Sequence, residues 1–175
     1  MSKTKSVGCY GGPVPERPDP WREIWAYDEA LSLVLAQVVR IVEELPADER
    51  PRWWAAVEHD LRMHAVVTDL YLDLGLELET AGREEFARLL EDAATRLRDR
   101  KEFTAEQAAA WEVHEGATVI FRSAEPRATE PAAELAGALA VLLRGKLEAP
   151  SPGALWRYGA PGGREEVAMA GLSAE

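Results

Sequence analysis

Apolar residues recur at three- and four-residue spacings through most of this chain, and that period constrains its fold more than any other feature. Ile24, Tyr27, Leu31, Val34, Leu35, Val38, Ile41, Val42 and Leu45 keep it, with Arg22, Glu23, Glu29, Ser32 and Glu43 between them. The stripe predicts an amphipathic helix opened by Asp19-Pro20 and stopped before Pro46. A wider arc follows. Trp54, Val57, Leu61, His64, Ala65, Thr68 and Leu72 form one stripe, and Met63, Val66, Val67, Leu70 and Leu74 an adjacent one. This reads as a second helix, capped by Asp48 with Pro51 in its first turn and ending near Gly75, and its width marks it as the central helix.

Thr80 begins a third helix with Phe86, Leu89, Leu90, Ala93 and Leu97 inward. Thr104 and Gln107 have capping-box spacing, so a short fourth helix is expected to run toward Trp111 or Val113 and to end at Gly116. Thr129 and Pro131 open a fifth, with Leu135, Leu139, Leu142 and Leu143 inward and Gly145 at its end. Only residues 117–121, Ala-Thr-Val-Ile-Phe, have the β-branched and aromatic character of a strand without helical period. Their expected partner is Ala154–Tyr158, with Trp111–Val113 the weaker option.

The expectation is therefore a mainly α protein: a four- to five-helix antiparallel bundle with a possible small two-stranded β-ribbon. Residues 1–20, rich in glycine and proline, read as a flexible arm, 21–158 as a single helical domain, and 159–175 as an irregular tail.

Charge narrows the function classes. The 175 residues include 31 acidic and 20 basic side chains, a net charge of −11, and residues 21–146 alone carry −10. Such a surface repels phosphates, so no nucleic-acid partner is expected. Lysine is scarce and asparagine absent, which fits the codon bias of a GC-rich, bacterial genome and has no functional meaning. Lys3 and Lys5 are not followed by the apolar run of a secretory signal, and Ser32, Gln37 and Arg40 interrupt the greasiest stretch, Leu31–Val42. A cytoplasmic protein without a membrane span is the reading. The single Cys9 excludes a disulfide framework.

Catalytic motifs are missing. Asp60 and His64, four apart, place a carboxylate beside an imidazole on one helix face, and Asp69 and Asp73 form a second four-residue pair. No glutamate stands three residues before His59, His64 or His114, and no His-Glu-x-x-His occurs, so neither metal nor cofactor is expected. No serine lies in a Gly-x-Ser-x-Gly elbow, and the glycines of 159–163 lack the context of a phosphate loop.

Six tryptophans are the more unusual feature. Trp21 and Trp25 share a helix face by spacing, and Trp53 and Trp54, being adjacent, cannot both point inward, so these four are candidate interface anchors. They also suit the closing of a bundle's ends. The expected role is a small acidic binding protein, an inhibitor, immunity-type protein or adaptor that engages a basic protein partner, rather than an enzyme. The alternative is a small helical enzyme or ligand-binding protein, for instance a tailoring enzyme, with a polar pocket around Asp60, His64, Asp69 and His114.

Overall fold

A computed structural model describes residues 3–9, 22–67, 71–75 and 78–169. It contains β1 (Thr4–Gly8), β2 (Glu23–Tyr27), α1 (Asp28–Glu44), α2 (Trp54–Val66), β3 (Leu72–Asp73), α3 (Thr80–Arg100), β4 (Glu102–Phe103), α4 (Ala105–Ala110), β5 (Glu112–His114), β6 (Ala117–Thr118), β7 (Arg127–Ala128), α5 (Glu130–Leu143), β8 (Ala154–Tyr158) and β9 (Glu165–Ala168). Five α-helices and a mixed five-stranded sheet share one core, which corrects the expectation of a mainly α bundle with a minor ribbon.

The sheet has the order β3-β1-β2-β8-β9, with β1–β2 and β8–β9 antiparallel and β1–β3 and β2–β8 parallel. Register sets Val7 opposite Ile24 and Leu72, Lys5 opposite Ala26, and Ala26 opposite Tyr158. All six side chains are buried. The opposite face of β2 carries Glu23, Trp25 and Tyr27, half buried.

Two strands thus occupy sequence that reads otherwise. Thr4–Gly8 lies in what composition marks as a flexible arm, and Glu23–Tyr27 in what period marks as the first turn of a helix. Ile24 and Tyr27 fit a helical stripe as well as Ile24 and Ala26 fit an alternating one, and pairing on both sides decides for the strand. The helix starts at Asp28, whose carboxylate accepts the Glu29 amide at 2.8 Å.

From Ala30 to Val42, α1 is buried at every position except Arg40, so it, and not α2, is the central helix. α3 and α5 pack against it and against each other. The second helix ends at Val66 instead of near Gly75. The β-branched run Val66-Val67 disfavours its continuation, and its last carbonyls have other partners. Lys5 Nζ donates to His64 O at 3.1 Å and to Val67 O, and Ser32 Oγ donates to Ala65 O at 2.5 Å.

The capping box at Thr104 is formed, with Gln107 N donating to Thr104 Oγ1 at 3.2 Å and Thr104 N to Gln107 Oε1 at 3.0 Å. The helix it opens is shorter than expected and gives way to a β5–β6 hairpin turning on Glu115 and Gly116, both at positive φ. Of residues 117–121 only Ala117–Thr118 forms a strand, which pairs with the weaker candidate through Glu112 and His114, while Ala154–Tyr158 joins the main sheet. Its neighbour β9 lies in the segment expected to be an irregular tail. Among the described residues no helix is long and apolar enough to cross a membrane.

Candidate functional site

Among the described residues the candidate polar side chains do not form one group. His59 and His64 are five positions apart on α2, about 140° around the helix axis, so they face different surroundings. His59 is exposed and its ring meets that of His114, edge to face, with centroids 5.3 Å apart. His64 is turned into the core, 9% exposed, and its buried Nδ1 has no hydrogen-bond partner. Burial, reinforced by the Lys5 ammonium and weakly opposed by Asp60, lowers its pKa to about 4. The imidazole is neutral at physiological pH. Asp60 is exposed, and Asp69 lies outside the described residues.

His114 instead borders a shallow recess of about 420 Å³ with Glu43, Glu58, Glu112 and Glu115. Its cation is Arg62, held by Glu43 and Glu58 at 2.7 Å each and by the Val113 carbonyl at 2.8 Å. These bonds raise the pKa of Arg62 against the opposing cost of its burial. Cys9 is also buried. Its thiol is pushed up by burial, which Arg83 partly offsets, so it is not a ready thiolate.

Trp54 belongs to the core at 4% exposed. Trp25 is half buried on the outer face of β2, and Trp21 lies outside the described residues. Trp53 is different. Its indole packs on Phe86 and Trp54, with ring centroids at 5.4 and 6.1 Å, and its Nε1 donates to Glu85 Oε2 at 2.7 Å. Gly82 leaves room for it, since a Cβ there would stand 3.2 Å from Trp53 Cδ1.

Trp53 forms part of a groove of about 1050 Å³ between the turns before α2 and the first half of α3. Asp48, Glu49, Glu79, Glu85 and Asp92 supply its carboxylates, and Arg50, Arg52 and Arg88 its cations. Asp92 pairs with Arg96 at 3.6 Å, and Arg88 with Glu84 at 3.5 Å. Among the described residues Asp48, Glu49 and Glu79 have no cationic partner. Periodicity could not reveal this groove, because Glu49 and Glu79 are 30 residues apart and meet only when α3 folds back beside the α1–α2 connection.

A second concavity, of about 800 Å³, opens between the start of α1, the start of α5 and the 159–163 loop. Tyr27, Leu33, Phe103, Val119, Phe121 and Pro131 are among its apolar walls, and Glu29, Arg127, Glu130 and Glu134 are its charged ones. The loop can lie this close because Gly159 has φ +88° and no side chain. A Cβ there would fall 2.6 Å from that of Ala30. Comparison with family models, curated proteins and solved structures finds no match for this chain.

Proposed function

We propose that this chain is a binding protein that engages a basic protein partner, with the groove at Trp53 as the contact surface. The observation that carries the reading is the set of unpaired carboxylates, Asp48, Glu49 and Glu79, around a half-buried indole. Fixed negative charge attracts and orients a cationic surface, and a rigid aromatic ring supplies apolar contact at little entropic cost. The net charge of −11 acts in the same direction at long range.

The test uses the full chain and an octalysine peptide, with affinity measured calorimetrically at low salt. Glu49→Lys combined with Glu79→Lys removes no ion pair and reverses the groove, and should weaken binding by about tenfold or more. Glu106→Lys combined with Glu125→Lys makes the same change of total charge elsewhere and should cost about twofold. Equal losses in the two double variants would reduce the effect to net charge and remove the groove from the proposal.

A further inference from the structure

Among the described residues, two opposite charges that line the 800 Å³ cavity form no ion pair, with each other or with another group. Of its four charged lining residues, Glu29 accepts from the Arg122 amide at 3.0 Å and lies 3.5 Å from its guanidinium, and Glu130 lies 3.3 Å from Arg98. Among the described residues, Arg127 and Glu134 have no oppositely charged group within 4.0 Å. Arg164 acts on Glu134 only from further off, being engaged by the Tyr158 hydroxyl and by Glu148 at 3.6 Å. Most other arginines among the described residues are tied to a carboxylate, a carbonyl or an aromatic ring, so Arg127, exposed at the edge of the cavity, is one of few left without such a partner.

Apolar walls with a few convergent polar groups define a small-molecule site, and about 800 Å³ falls within the roughly 300–1,000 Å³ that such sites occupy. The complement of one cation and one anion is a ligand with both charges. We propose that the cavity binds a zwitterionic peptide of two or three residues, its terminal carboxylate on Arg127, its terminal ammonium on Glu134 and its apolar side chains against Phe121 and Leu33. Arg127 stands on the two-residue strand β7 and Glu134 one turn into α5, and both line the same opening. A guanidinium can hold a carboxylate through two parallel N–H donors. The volume exceeds that of a single amino acid and leaves space for a second side chain. This site shares no residue with the groove at Trp53 and stands or falls independently of it.

The experiment is calorimetric titration of the full chain with leucyl-phenylalanine, its N-acetylated form and its C-amidated form. The free dipeptide should bind saturably, and blocking either terminus should weaken binding by about tenfold or more, as expected for loss of a charge-assisted hydrogen bond. Arg127→Gln should weaken the free dipeptide to the level of the amidated one and abolish discrimination between those two. Glu134→Gln should do the same for the acetylated form. Neither substitution breaks an ion pair, so the thermal midpoints should stay near that of the wild type. No saturable binding up to about 10 mM, or equal affinity of the free and blocked peptides for the wild type, overturns the proposal without reference to any variant. Variants that discriminate as the wild type does would overturn the assignment of the two residues.

Discussion

Charge taken out of water dominates at the residue scale. Lys5 is 4% exposed, and its ammonium serves the C-terminal carbonyls of α2, where the helix dipole is negative. Burial of the His64 imidazole, with the Lys5 ammonium adding to it, puts the pKa of that group near 4 in the folded chain against about 6.5 when unfolded. Between these values the unfolded chain binds more protons, so stability is intact above about pH 6.5 and falls as pH drops toward 4. The slope from this group is at most about 1.4 kcal/mol per pH unit. His64→Leu should flatten the curve. Urea midpoints at pH 7 and pH 4.5 check this, and parallel losses in wild type and variant would dismiss His64 as the source. Asp28 is the converse case, a carboxylate 1% exposed that Arg122 holds at 2.8 and 2.6 Å. Arg122→Met leaves that charge buried without its cation and should destabilise the fold by about 3 kcal/mol. Adding Asp28→Asn should restore part of the loss, and a double variant no more stable than Arg122→Met would show that the ion pair was not what mattered.

Among the elements, the 159–163 loop depends on a single missing side chain. Gly159→Ala would combine a positive φ with a contact of 2.6 Å to Ala30 Cβ, so the loop must move off α1. The expected cost is about 2 kcal/mol, with a fall in the thermal midpoint that Gly162→Ala, whose Cβ would meet open space, should not show. Helices were the most legible part of this sequence, but not all of their ends. The Thr104–Gln107 box and Gly145 mark ends by local chemistry and α3 begins at Thr80, whereas α1 opens at Asp28 instead of after Asp19-Pro20, and α2 opens at Trp54, without a side-chain cap, instead of at Asp48. Of the strands, Ala154–Tyr158 was legible and is β8, whereas β1 and β2 were not, for a physical reason. Thr4–Gly8 has one large apolar residue, Val7, and becomes a strand only because β2 and β3 pair with it. Glu23–Tyr27 adjoins a strongly periodic helix, so its own alternation merges with the longer period. The groove and the cavity were hidden for the same reason. Glu49 and Glu79 come to one groove, and Tyr27 and Gly163 to one cavity, only through tertiary structure, whereas the four-residue spacing of Asp60 and His64 is visible in one dimension yet places one outward and the other in the core.

For the whole molecule, the sheet joins the two ends of the chain. β2 lies between β1, from the first residues, and β8, more than 120 residues later, in parallel register through Trp25–Arg157 and Ala26–Tyr158. Such pairing rewards the chain only after a long loop has closed, so the sheet and the helical layer should form together in a slow, cooperative step. The role of β1 makes this testable. Composition places residues 1–20 in a flexible arm, but Val7 is fully buried, Lys5 satisfies the end of α2, and the Asp28 amide at the start of α1 donates to Lys3 O at 2.8 Å. Deleting residues 1–9 therefore exposes one edge of β2, strips β3 of its partner and leaves carbonyls of α2 without a donor. Buried carbonyls without partners cost about 1–3 kcal/mol each, and the loss of Val7 adds to this, against a total stability of about 5–15 kcal/mol for a domain of this kind. The truncated chain should lose its cooperative thermal transition, seen by circular dichroism, while retaining helical signal from α3 and α5. Val7→Ala in the full chain separates packing from pairing, with an expected cost of about 2 kcal/mol and cooperativity kept. A truncated chain that melts as sharply and as high as the full one would show that the first strand is dispensable and that the helical layer folds without the complete sheet.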